Sequence, residues 1–228
     1  MRAGILANSF PAALSIYAEI AEVPGLTAYI LLCPAPGETG VKSLAKHIYR
    51  FLTRSPRMRC LGLLLKGRVV FLSGQLDEEG TVERITRHKL DIGLHRSGAI
   101  YRQATIDAFH IGILNPHIGI LPQYRGRSVM EWALIEDGPI GITVFFIDTG
   151  IDTGERIVLS EEVDISNFSS LDEAKRYLFG LDAVFFRRAI ELLDSNNFQF
   201  QINDGSGRRY YVISKLFKKL AAAKLSSN

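Results

Sequence analysis

The stretch from Ile111 to Gly154 constrains the fold more than any other part of the chain. It reads IGILNPHIGILPQYRGRSVMEWALIEDGPIGITVFFIDTGIDTG. An apolar run of strand type ends in Asn115-Pro116-His117, and because side chains alternate faces along an extended chain, Asn115 and His117 project to the same side. Pro116 has no N–H to give to a sheet ladder, so it marks where the strand leaves its sheet. Then come the loop Leu121-Pro122-Gln123-Tyr124-Arg125-Gly126, a short helix, a continuous apolar strand of buried type from Ile140 to Ile147, and the acidic loop Asp148-Thr149-Gly150-Ile151-Asp152-Thr153-Gly154. Both polar loops fall at the carboxyl ends of parallel strands, where open α/β sheets bind ligands.

The flanking sequence agrees with a parallel sheet. Arg2 to Ala7 is a short apolar run, Phe10 to Ala21 has apolar residues at helical spacing, and Thr27 to Cys33 is a second apolar run, which gives β-α-β. The turn Ala7-Asn8-Ser9-Phe10-Pro11 carries no glycine, so neither a dinucleotide fingerprint nor a P-loop is present. The spacing of Leu44, Ala45, Ile48, Phe51 and Leu52 predicts a helix, whereas Met58 to Leu72 is too mixed to assign. Asp77 to Arg87 reads as a helix and Leu90 to Leu94 as a strand. Ser128 with Glu131 reads as a capping box for a helix that Gly138 ends. Glu155 to Asp164 reads as an edge strand. Ser170 with Glu173 caps one long helix to Leu193 that packs back on the sheet. After the flexible polar turn Asn203-Asp204-Gly205-Ser206-Gly207, Arg209 to Val212 reads as a short strand and Lys215 to Lys224 as a basic amphipathic tail. The expected fold class is α/β, with an open, mostly parallel Rossmann-like sheet and helices on both faces. Residues 1–194 form the α/β domain and residues 195–228 a short C-terminal extension.

Asn-x-His, Leu-Pro-x-Tyr-Arg-Gly and the Asp-x-Gly-x-Asp-Thr-Gly loop together resemble the folate-dependent formyltransferase family. Its members move a formyl group from 10-formyltetrahydrofolate to an amine. The resemblance is firm over the central third of the chain, loose over the first 110 residues and slight over the last 35. Ile118-Gly119 stands where most members carry proline-serine. The resemblance implies that Asn115, His117 and Asp152 are the catalytic trio. It also implies that the folate's pterin ring is held by backbone groups of Ala99, Ile100 and Tyr101 and of Thr149, Gly150, Ile151 and Asp152.

The residue types suit that chemistry. Attack of an amine on a formyl group puts negative charge on the former carbonyl oxygen, and one donor aimed at it is typically worth ~3 kcal/mol. Asn115 and His117 each offer an N–H, while Asp152 accepts the proton shed by the attacking nitrogen and returns it to the leaving one, directly or through a water. Asp148 is expected to shape its loop, and Arg125 to order the loop below the site. An aspartic protease needs two carboxylates from separate β-lobes, and here they lie four residues apart in one loop. Trp132 reads as core. His47, His88, His95 and His110 have no ligand partners at metal spacing, so no metal is expected, and of these only His95 is placed to reach the site.

The acceptor follows by exclusion. Relatives acting on initiator tRNA add a C-terminal barrel, and only about 35 residues follow the last long helix here. Relatives acting on glycinamide ribonucleotide carry a glycine-serine phosphate loop that Ala7 to Pro11 does not match. A primary amine on a nucleotide-linked sugar remains, with a 10-formyltetrahydrofolate hydrolase or a non-catalytic folate-binding module as alternatives. The formal charge of +3 gives no argument for nucleic acid. Lys42 to Arg68 is a basic stretch with no acidic residue, either a solvated face or a surface that meets phosphates or an anionic membrane. Cys33 and Cys60 sit in apolar runs and read as buried thiols. The opening residues lack the features of a secretory signal and no apolar run spans a membrane, so a cytoplasmic location is expected.

Overall fold

The structure, a computed structural model, describes residues 1–34, 62–195 and 197–227 together with Ala45 and Tyr49. Apart from Ala45 and Tyr49, the predicted helix at 41–52 lies outside the described residues, as do His47, Cys60 and most of the basic stretch Lys42 to Arg68. Two compact units make up the chain, Met1–Leu114 and Asn115–Asn228.

The first unit is built on parallel strands. β1 (Arg2–Ala7) pairs with β2 (Thr27–Leu32) from Arg2↔Thr27 to Ala7↔Leu32. β2 also pairs with β3 (Val69–Phe71), and β1 with β4 (Leu90–Arg96). β3 lies inside the stretch whose mixed composition resists assignment, because three residues are too short to show a period. β4 in turn pairs with the first part of β5 (Phe109–Ile118), up to Leu94↔Leu114. Five of six residues of β1 are buried, as expected of a strand covered on both faces. The helix Phe10–Ile20 starts with proline in its first turn and buries Phe10, Ala13, Ile16 and Ile20.

In the second unit, β7 (Gly141–Phe146) is buried throughout and pairs antiparallel with β8 (Arg156–Glu162). The strand expected at the edge is therefore not outermost: β9 (Gln201–Ile202) pairs antiparallel along β8. β6 (Tyr124–Gly126) and β10 (Arg208–Tyr210) form a separate two-stranded parallel sheet. The long predicted helix is two, Leu171–Gly180 and Asp182–Leu193, joined at Leu181. Ser170 Oγ accepts from the Glu173 N–H as its capping motif predicts. The helix Lys215–Ser227 is no free tail. It packs against the helix Val129–Ile135, burying Ala221 and Leu225, and Lys224 bonds Asp137.

One local prediction fails for a backbone reason. Ser128 is left-handed at φ 55° and makes no side-chain cap, so the capping box with Glu131 does not form. Ser128 Oγ instead accepts from the Ile213 N–H at 3.3 Å. At the other end of that helix Asp137, not Gly138, takes the left-handed conformation, at φ 52°. Gly138 donates its N–H to the Ala133 carbonyl at 2.9 Å, closing the helix end behind Asp137, and it also serves packing, since a Cβ there would stand 1.9 Å from Tyr124 Oη.

Candidate active site

The second unit sets His117 against Asp152 and places Asn115 and His117 in the wall of one cavity. β5 runs on through Pro116 to Ile118, so the proline does not end the strand; what ends at Leu114 is its pairing with β4. Asn115 and His117 both line a cavity of ≈ 390 Å³ with Gly126, Arg127, Ser128, Val129, Glu131, Lys175 and Phe179 among its walls. His117 is 8% exposed. Its Nε2 lies 2.8 Å from the Tyr124 carbonyl oxygen, and since a carbonyl only accepts, Nε2 carries the hydrogen and donates. That leaves Nδ1, 3.5 Å from Asp152 Oδ2. The expectation of a ring N–H open to the reacting oxygen therefore narrows to Nδ1, which carries a hydrogen only when the ring is protonated, because Nε2 is spent on holding the ring.

The loop after β5 is shaped to receive the imidazole. A Cβ on Gly119 would stand 2.7 Å from both His117 Nε2 and the Tyr124 oxygen, so only glycine leaves room for this bond. Thr143, fully buried on β7, donates its hydroxyl to the Gly119 carbonyl at 2.7 Å and accepts from the Leu121 N–H at 3.1 Å. Tyr124 stacks on Tyr210, with ring centroids 5.4 Å apart, and Tyr210 donates to Glu136 Oε2 at 2.6 Å. Burial and that carboxylate together push the Tyr210 phenol up to about 12.

Asp152 sits in the left-handed region at φ 52°, which aspartate tolerates better than most residues. Its Oδ2 accepts from the Gly126 N–H at 2.9 Å while facing His117. Asp148 Oδ1 accepts from the Gly150 N–H at 2.9 Å and from Thr153 Oγ1 at 2.8 Å, so this carboxylate is engaged within the loop. Sequence reasoning missed Asn203. That residue is 4% exposed and donates from Nδ2 to the carbonyls of Asp152, at 3.2 Å, and Gly154, at 3.1 Å. It pins the aspartate loop from about fifty residues away, and an Asn-Asp-Gly turn signal carries no trace of that role.

The two predicted pterin loops belong to different units. In the first, Tyr101 is 2% exposed and its hydroxyl joins His95 Nδ1 at 2.6 Å and Ser97 Oγ at 3.0 Å. Burial, and then the nearby Arg96 charge, hold the His95 imidazole down to about 4, so the neutral ring accepts from the phenol. His95 is thereby committed to fixing its own loop. The Ala99 N–H is taken by Ser97 Oγ, whereas backbone groups of Ile100 make no hydrogen bond among the described residues. In the second unit, the Gly150 N–H is taken by Asp148, and the backbone groups of Thr149 and Ile151 have no such bond among the described residues. Open amides and carbonyls of this kind suit a flat heteroaromatic rich in donors and acceptors.

Trp132 is half-buried against Tyr210 and Phe217 and donates to the Tyr211 carbonyl. Arg125 lies in β6, and its Nε is buried without a hydrogen-bond partner among the described residues. Cys33 is buried, its thiol pushed up to about 12 by desolvation and donating to the Ala7 carbonyl. Among the described residues no three or more His, Cys, Asp or Glu are placed to hold a metal, and no helix is long and apolar enough to cross a membrane.

Residues 81–181 match the family described as formyl transferase. A methionyl-tRNA formyltransferase of Alkaliphilus oremlandii is 33% identical over 100 residues, which is 43% of this chain and 32% of that protein. One from Flavobacterium psychrophilum is 42% identical over 77 residues, 32% of this chain and 24% of that protein. The chain thus spans about a third or less of the length of these curated relatives. Among solved structures, a 4-N formyltransferase from Francisella tularensis superposes with TM-score 0.65 at 14% identity, covering 98% of this chain and 87% of that one. The formyltransferase PseJ from Anoxybacillus kamchatkensis, in complex with UDP-4,6-dideoxy-4-formamido-L-AltNAc and tetrahydrofolate, superposes with TM-score 0.55 at 18% identity, covering 99% and 97%.

Proposed function

We propose that the chain is a member of the folate-dependent formyltransferase family and that it transfers a formyl group from 10-formyltetrahydrofolate to a primary amine carried on a nucleotide-linked sugar. The observation that carries this reading is the His117 ring, held by the Tyr124 carbonyl on one nitrogen and facing Asp152 with the other, in the wall of the cavity that Asn115 also lines. 10-Formyltetrahydrofolate supplies an activated one-carbon acyl group on nitrogen. Asn115 gives an N–H to the formyl oxygen as it gains charge, and His117 in its protonated form, which keeps Nε2–H on the Tyr124 carbonyl and carries a second hydrogen on Nδ1, is the second donor. Asp152 takes the proton that the amine sheds as the new C–N bond forms and passes it, directly or by a water, to the nitrogen whose bond to the formyl carbon breaks. The open backbone groups of Thr149 and Ile151 would hold an edge of the pterin ring.

The sugar-nucleotide acceptor is supported by the exposed Arg127 in the wall of the same cavity, a cation that suits a phosphate-bearing ligand. A second reading is favoured by the name that the curated relatives bear: the amine of a methionyl group on charged tRNA. The test offers UDP- and dTDP-linked amino sugars, free amino sugars, amino acids and methionyl-tRNA with 10-formyltetrahydrofolate, and follows the product mass. A sugar nucleotide heavier by one formyl group is expected. Preference for methionyl-tRNA or an amino acid overturns the acceptor, and release of formate with every amine unchanged overturns the transfer.

A further inference from the structure

One pair of charges in the cavity is used neither by the trio nor by the folate loops. Glu131, in the first turn of the helix Val129–Ile135, is 3% exposed, and its Oε1 accepts from Lys175 Nζ at 2.7 Å. Lys175 comes from the separate helix Leu171–Gly180 and is about a third exposed. The second oxygen, Oε2, is buried and meets no hydrogen-bond partner among the described residues. The capping bond that would have occupied Glu131 is absent because Ser128 is left-handed. Burying a carboxylate oxygen without a donor is costly, so such an atom in a cavity wall is a position that a ligand's donor can fill.

We propose that the Glu131–Lys175 pair is a recognition site for a hydroxyl group of the acceptor, which makes the acceptor a hydroxylated amine of the sugar class. The inference rests on the reading of this cavity as the acceptor site of a formyl transfer. A hydroxyl donates to Oε2 and accepts from the lysine ammonium, so one group satisfies both partners. An ammonium in that position would face Lys175, and a carboxylate would face Glu131. Ile118, Val129 and Phe179 in the same cavity give an apolar wall for the C–H face of a sugar ring. The amine would then point toward Asn115 and His117, and the exposed Arg127 would meet a linked phosphate.

The test measures binding, so that it does not depend on turnover. D-Glucosamine and cyclohexylamine are titrated by NMR into the full chain saturated with tetrahydrofolate, for the parent, Glu131→Leu and Glu131→Gln. The parent is expected to prefer glucosamine. Glu131→Leu should weaken glucosamine ~10-fold or more, the loss expected for a hydrogen bond to a charged group, while cyclohexylamine binds as before. Glu131→Gln keeps the side-chain volume and one oxygen and should fall between. No preference in the parent, unchanged glucosamine binding in both variants, or equal loss of both ligands overturns the proposal. Preference for glucosamine without formyl transfer by the parent would sink the proposed activity and leave the site standing; transfer insensitive to Glu131 would do the reverse.

Discussion

Replacing Gly119 by serine restores the residue that the family resemblance leads one to expect after the histidine, yet the structure predicts damage. Gly119 is not among the residues with positive φ, so the backbone accepts a side chain and the whole penalty arises from crowding. The new Cβ would lie 2.7 Å from His117 Nε2 and 2.7 Å from the Tyr124 carbonyl oxygen, where ordinary contact begins near 3.4 Å. The carbonyl belongs to β6, which is tied to β10, so the imidazole is the group that moves. Losing the Nε2 hydrogen bond costs ~1 kcal/mol and crowding a packed site adds ~1–3 kcal/mol. For a chain of this length a loss of ~2–4 kcal/mol lowers Tm by roughly 4–16 °C. The rate should suffer more than the stability, because an ångström of displacement at a reacting group costs ~10²-fold. Differential scanning fluorimetry and formyl-transfer turnover measured on the same preparation decide it. Parent-like Tm and rate in Gly119→Ser would refute the claim that the Tyr124 carbonyl orients the catalytic imidazole.

Three further outcomes follow from other contacts. Asp152→Asn should keep its loop, since asparagine tolerates the left-handed backbone, and lose the rate by ~10²-fold or more; a worse lesion in Asp148→Asn would mean that the other aspartate moves the proton. Asn203→Ala removes the donor to two carbonyls of the aspartate loop and should cost ~1–2 kcal/mol in urea unfolding while raising KM for the folate more than that for the amine. Acid should weaken the first unit through His95. Its folded value of about 4 lies below the usual 6.5, so the unfolded chain binds the extra proton first. The stabilisation is intact above pH 6.5 and is lost as pH falls toward 4, by ~2–3 kcal/mol allowing for the partial exposure of the ring. Urea titrations of parent and His95→Gln at pH 7 and pH 4.5 check this; equal pH dependence in the two would count against it.

How much of this was legible in the sequence depended on how local each cause was. The first β-α-β, the apolar strand carrying Asn115 and His117, and the loop carrying Asp152 are fixed by patterns a few residues long, and each stands where its pattern implies. The break at Leu181 escaped because Leu171, Ala174, Leu178 and Phe185 keep one apolar face across it. Ser128 and Glu131 spell a capping box, but the loop's ties to β10 and Ile213 set a left-handed serine that propensity does not foresee. Asn203 and Lys175 reach the site region from segments that read as turn and packing helix, and contacts across 44 to 51 residues leave no spacing to detect. Gly119 reads as a departure from a motif, and only the distance to His117 gives it a reason.

In the proposed reaction His117, oriented by the Tyr124 carbonyl and facing Asp152, serves formyl transfer. The most direct measurement is single-turnover transfer from 10-formyltetrahydrofolate to the best amine of the panel by parent and His117→Ala, with tetrahydrofolate affinity determined alongside. The account predicts a rate lower by ~10²-fold or more and a folate affinity nearly unchanged, because the donor is needed mainly in the transition state. Equal single-turnover rates in parent and variant would contradict it.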